Sequence, residues 1–92
     1  MGGKGPVMQE LRSRPAPDRE LSVDGSCPEP VLRTARALRA MSSGQILRVV
    51  CQDPASVHDL QVFSEQTGNR LLAQETEERA QGKVFVHWLS RR

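Results

Sequence analysis

The chain is poor in aromatic residues: it has no tyrosine, and Phe63, Phe85 and Trp88 are its whole complement. That removes the stacking pairs on which single-stranded nucleic acid is held. The net charge of +2 removes the basic footprint that would attract a phosphate backbone. The charge is also evenly spread, with four basic and three acidic side chains in the first twenty residues and nine and eight in the rest. Cysteine is scarce. Cys27 and Cys51 are too few for a disulfide framework or a zinc site, so no metal is expected. Two free thiols fit a reducing, cytoplasmic setting. No apolar run is long enough for a membrane span or a secretory leader, so no membrane partner is expected. At 92 residues there is room for one domain.

What is present is concentrated in Asp24-Gly25-Ser26-Cys27-Pro28-Glu29-Pro30. A thiol stands between a short strand-like run, Leu21 to Val23, and a helical pattern that begins at Val31. Asp24-Gly25 is a turn dipeptide, with Gly25 free to take a positive φ. Cys27 precedes a proline and is thereby pushed toward extended geometry, which suits an N-cap. Pro28 fits the first helical position, where an absent N–H costs nothing. Pro30 is tolerated for the same reason, so the helix starts at Pro28 or at Pro30. Either start puts Cys27 at the positive end of a helix dipole, which favours its thiolate. Two prolines remove donors and Glu29 adds a like charge, so the pKa lowering is expected to be modest. A weakly activated thiol remains a good nucleophile, as a thiol that must pass on its cargo needs to be.

From Leu21 onward the chain resembles the TusA/SirA family of small sulfur-carrier proteins. The resemblance rests on the Asp24-Gly25 turn with Cys27-Pro28-Glu29-Pro30, on Met41-Ser42-Ser43-Gly44-Gln45 after the first helix, on Asp53-Pro54-Ala55 before the second, and on Gly68-Asn69 after it. It implies that Cys27 carries sulfane sulfur as a persulfide, with Gly25, Pro28, Glu29 and Pro30 supporting it and no cofactor beyond that sulfur. It also implies a protein donor, a cysteine desulfurase or a rhodanese, and a protein acceptor. Family members supply tRNA thiolation, molybdenum-cofactor enzymes or sulfur oxidation. The family commonly has Asp-Asp-Pro where this chain has Gln52-Asp53-Pro54.

Taken in order, residues 1–20 read as a disordered tail punctuated by Gly2-Gly3, Gly5-Pro6 and Pro15-Ala16-Pro17. Residues 21–92 read as the domain. Its first strand is Leu21–Val23. Its first helix runs to about Met41, with Val31, Leu32, Ala35, Leu38 and Met41 as the apolar stripe. Arg33, Arg36 and Arg39 recur along another face and form a candidate docking surface for acidic patches on partners. Gln45 to Cys51 is a strand with Leu47, Val49 and Cys51 on one face and Arg48 on the other, which leaves one side of the sheet wet. Asp53 caps a second helix carrying Val57, Leu60, Phe63 and Thr67, closed by Gly68. Arg70–Glu77 and Lys83–Leu89 are the last two strands. His58 reads as a surface residue, His87 as a residue on a strand face, and Cys51 as a core thiol.

The order βαβαββ with right-handed crossovers puts both helices on one face of a mixed four-stranded sheet. The short first and polar third strands suit the edges, giving the order 1-2-4-3 and an α/β two-layer sandwich. A monomeric sulfur carrier using Cys27, rather than a turnover enzyme, is the expected function. The alternative is a thiol-redox or redox-sensing protein in which Cys51 resolves Cys27.

Overall fold

The computed structural model of the chain describes residues 15–26 and 28–92. Most of the expected tail, residues 1–14, lies outside the described residues, and so does Cys27. The elements are β1 (Arg19–Val23), α1 (Glu29–Arg39), β2 (Ile46–Cys51), α2 (Ser56–Thr67), β3 (Arg70–Arg79) and β4 (Gly82–Ser90). They build one sheet of order β1-β2-β4-β3, as the alternation of polar and apolar strands requires. β1 pairs parallel with β2, and β4 pairs antiparallel with both β2 and β3. No helix among the described residues is long and apolar enough to cross a membrane.

β1 begins two residues earlier than its apolar run suggests. A backbone ladder needs no apolar side chain, and Asp18 anchors it from both sides: its N–H donates to Ile46 O and its Oδ2 accepts from Ile46 N–H, each at 2.8 Å. The strand therefore takes in Arg19 and Glu20, which the sequence alone places in the tail. β3 and β4 are longer than expected for a similar reason, since cross-strand pairing carries the polar Glu77, Glu78 and Arg79 along opposite Val84, Lys83 and Gly82. The register between them slips once, between Leu71 and Ala73.

α1 buries Pro30, Thr34, Ala37 and Leu38, followed by Met41. The expected stripe is wrong at one position: Leu32 is 58% exposed. At about 100° per residue it stands roughly 200° around the helix from Pro30, on the far side from the sheet. Thr34 occupies the place a hydrophobe would fill, and its buried hydroxyl has no hydrogen-bond partner. The helix also stops before Gly44. Ala40 and Met41 close its last turn on Ala37 O and Leu38 O, while Gly44, at φ 85°, serves a separate turn spanning Ser42 to Gln45. Gly68 ends α2 at φ 82°, the left-handed C-terminal position foreseen for it.

The main core lies between the helices and one sheet face. Leu38, Leu47, Leu60 and Leu89 are fully buried there with Val23, Val49 and Cys51, each leucine contributing about 2 kcal/mol. The opposite face is not simply wet. Val84, Val86 and Trp88 form a second buried cluster, with Ile46, Val50, Leu72 and Ala73 packed against it. Arg48 does lie on that face, but its guanidinium covers the Trp88 ring at 5.7 Å and reaches Glu20 at 3.6 Å. A cation over an indole is favourable, which accounts for an arginine within an apolar surface.

Candidate functional site

Because β1 and β2 are parallel and β4 is antiparallel to β2, three connections gather at one end of the sheet. These are the β1–α1 loop around Cys27, the β2–α2 loop at Gln52–Ala55, and the Ala80–Gln81 hairpin. The carboxyl ends of parallel strands are where open α/β sheets place their chemistry.

The loop that holds Cys27 is defined by its neighbours. Ser26 O accepts from the Glu29 N–H at 2.9 Å, and Pro28 O accepts from the Leu32 N–H at 3.1 Å. The N-cap is Pro28, with φ −98° and ψ 14°, rather than Cys27, and Pro30 lies in the first turn. The helix thus starts at neither proline but between them. Ser26, Pro28 and Glu29 are exposed, while Pro30 is buried and ties the helix start to the core. Gly25 is not among the positive-φ glycines. It is needed for clearance instead: a Cβ there would lie 3.0 Å from Glu29 Cγ and 3.2 Å from Glu29 Cβ.

Asp53 organises the neighbouring connection. Its Oδ1 accepts from the Ala55 N–H at 3.0 Å, and its carbonyl accepts from the Ser56 N–H at 3.0 Å. It closes the turn that leads into α2 instead of capping the helix directly, and Ala55 takes the N-cap. Beside Pro28, a largely apolar groove of about 300 Å³ runs between the helices, bordered by Val31, Val62 and Phe63 and by the polar His58, Asp59 and Gln66. His58 is exposed, as its polar surroundings in the chain suggest.

The arginine row does not stay together. Arg33 and Arg36 border a hollow on the β1 side of α1, with Arg19. Arg39 borders a different one, with Arg91 and Arg92. A spacing of three residues falls short of a full turn, so successive members rotate around the helix by about 60°.

Beneath this end lies a polar chain that the sequence reading missed. His87 is not a plain face residue; it is fully buried. Its Nε2 is 3.0 Å from Ser56 Oγ and its Nδ1 is 3.0 Å from Gln74 Nε2. Gln74 Nε2 also donates to Val57 O at 3.0 Å, and Gln74 Oε1 accepts from Gln61 at 2.9 Å. A carbonyl only accepts, so the Gln74 nitrogen must face it. Nδ1 therefore accepts, and the ring proton sits on Nε2 and is donated to Ser56. Burial pulls the His87 pKa down to about 4. Protonating Nδ1 would also set its hydrogen against the Gln74 amide.

Cys51 is a core thiol, as its strand parity implies. It is fully buried, and burial raises its pKa against the opposing hydrogen bond from Ser56. The polar chain thus runs from Gln61 through Gln74 and His87 to Ser56. The signal for it was alternation, since His87 shares parity with Phe85 and Leu89. Among the described residues, no three His, Cys, Asp or Glu side chains gather as metal ligands.

Residues 24–89, which include the Cys27 loop, both helices and most of the sheet, match the family described as "Sulfurtransferase TusA". The chain belongs to the TusA family. Within it, the chain is similar to the sulfur carrier protein TusA of Allochromatium vinosum, 49% identical over 61 residues covering 65% of this chain and 80% of that one. It is 42% identical over 71 residues to a putative sulfur carrier protein of Aquifex aeolicus, covering 76% of this chain but 34% of the longer relative. Among solved structures, the SirA-like protein from Desulfitobacterium hafniense superposes with a TM-score of 0.55 at 25% identity, covering 78% of this chain and 99% of that one. The TusA/SirA resemblance and the fold it implied are thus both found.

Proposed function

We propose that this TusA-family protein is a sulfur carrier that holds sulfane sulfur as a persulfide on Cys27 and passes it between proteins. The observation that carries the reading is the sequence Cys27-Pro28-Glu29-Pro30 leading into α1, flanked by the exposed Ser26, Pro28 and Glu29, in a chain 49% identical to a named sulfur carrier. The Cys27 thiolate attacks the outer sulfur of a donor persulfide. A new S–S bond forms to Cys27, the donor's S–S bond breaks, and the donor cysteine leaves as a thiolate. An acceptor thiolate then attacks the same outer sulfur, and Cys27 leaves as a thiolate. Each step exchanges one S–S bond for another, so no external oxidant, metal or resident cofactor is needed.

The donor in this reading is a cysteine desulfurase or a rhodanese, and the acceptor is a protein cysteine in tRNA thiolation, molybdenum-cofactor or sulfur-oxidation chemistry. Gly25, Pro28, Glu29 and Pro30 shape the loop, and Arg33, Arg36 and Arg39 offer charge to acidic partners. The apolar groove beside Pro28 and the exposed Leu32 add contact area suited to a protein rather than a small substrate. The redox alternative is weakened by the burial of Cys51 and its raised pKa, both of which suppress the thiolate a resolving cysteine needs.

The test is intact-mass analysis after incubation with a cysteine desulfurase and cysteine, with a rhodanese and thiosulfate, or with inorganic polysulfide. Wild type should gain one sulfur atom, and Cys27→Ser should gain none while keeping its circular dichroism and melting temperature. Absence of the mass gain in wild type with all three donors would sink the carrier reading.

A further inference from the structure

We infer that the hollow bounded by Arg19, Arg33 and Arg36 is a socket for an acidic side chain of the protein that exchanges sulfur with Cys27; this rests on the carrier reading above. The hollow is about 250 Å³, lined by Leu21, Ala37 and Ala40 and by the three arginines. All three are exposed. Ion pairs among the described residues include Arg48–Glu20, Arg79–Glu77 and Lys83–Glu78, and none joins one of the three hollow arginines to a described carboxylate. Three arginines therefore border one hollow with no ion pair to a carboxylate among the described residues, and a guanidinium's planar fork of donors suits a carboxylate.

Position along α1 decides what kind of molecule brings that carboxylate. Arg33 and Arg36 lie five and eight residues beyond Pro28, or about 8 and 12 Å along the axis at 1.5 Å per residue. A ligand that meets Cys27 and the socket together must span on the order of 10 Å. A small persulfide does not reach. An extended polypeptide does, with an Asp or Glu three or four positions from its reactive cysteine at about 3.3 Å per residue. The occupant is thus an acidic residue of a partner protein, and the socket sets the register in which the partner's sulfur arrives. Arg39 takes no part, because it borders the other hollow.

The experiment uses the full chain and three short peptides, each with one cysteine activated as a mixed disulfide with thionitrobenzoate. The peptides carry Glu, Ala or Lys at the third and fourth positions from the cysteine. Cys27 attacks the peptide sulfur and releases the coloured thiolate, which reports the rate. The Glu peptide should react about fivefold faster than the Ala peptide, and the Lys peptide slower, with the order collapsing at about 0.5 M salt. Arg33→Glu/Arg36→Glu should reverse the order, and Arg70→Glu/Arg79→Glu, an equal charge change on the far edge strand, should keep it. Equal rates for the three peptides, or an order that survives the double substitution, would overturn the proposal.

A second measurement needs no reaction. The Glu peptide with serine in place of cysteine, titrated by NMR, should shift the side-chain Nε–H signals of Arg19, Arg33 and Arg36. The same shifts from inorganic phosphate alone at equal concentration would make this a free-anion site and overturn it as well. If Cys27 reacts with none of the peptides or with polysulfide, the carrier reading fails, while the NMR titration still decides the socket.

Discussion

His87 has none of its surface exposed, and burial holds its pKa at about 4 against an ordinary 6.5. The unfolded chain therefore takes up this proton near pH 6.5, and the folded chain only near pH 4. Between those values the unfolded state holds one proton more. Stability is fully present above pH 6.5 and falls as the pH drops, by up to about 1.4 kcal/mol per pH unit and about 3 kcal/mol in all. For a domain of this size that is a large part of the total. The assay is urea unfolding at steps from pH 7.5 to pH 4, on wild type and on His87→Leu. The substitution leaves Ser56 and Gln74 without their ring partner and should cost about 1–3 kcal/mol at neutral pH. It also removes the titration, so the gap between the two proteins should close as the pH falls. An NMR titration of the folded protein in which the His87 ring protonates above pH 6 would refute the reasoning. So would two stability curves that stay parallel across the range.

Thr34→Val should stabilise the protein by about 1 kcal/mol, because the buried hydroxyl it removes has no partner; a loss in denaturant midpoint would contradict this. Gly68→Ala should cost about 1 kcal/mol, visible as a lower melting temperature, since the helix ends there at φ 82°. The Arg92 side chain that the new Cβ would meet at 2.8 Å can swing aside, so the backbone sets the cost. Cys51 should react with a thiol reagent only as fast as the fold opens. In the Cys27→Ser variant, labelling should therefore be slow in buffer and fast in urea, and rapid labelling of the folded variant would contradict the burial of the sulfur.

The architecture was legible because its signals are local and periodic. Alternation in Leu47-Val49-Cys51, glycine at the end of α2 and the apolar run in β4 each point to one answer, and together they fix the strand order. The motif around Cys27 was legible for the same reason: two prolines around one residue constrain the backbone whatever the tertiary context. What failed depended on contacts distant in sequence. Hydrophobicity alone points Leu32 inward, its angle on the helix turns it outward, and the buried face accepts Thr34 in its stead. His87 looked like an isolated polar residue because its partners come from other elements, Ser56 at the start of α2 and Gln74 on β3. The arginine row looked continuous because residue spacing does not say which neighbouring element closes each side of a helix.

The chain enters its sheet at Asp18 and leaves it at Arg91, and both points are stitched to the same corner: Asp18 to Ile46, Arg91 to Gln45. That corner lies at the opposite end of β2 from the loop around Cys27. A domain fused at either point would start from the end of the sheet opposite the Gln52–Ala55 connection. The two junctions thus leave the opposite end of the sheet, with the Gln52–Ala55 connection and the Ala80–Gln81 hairpin, clear of anything joined to them.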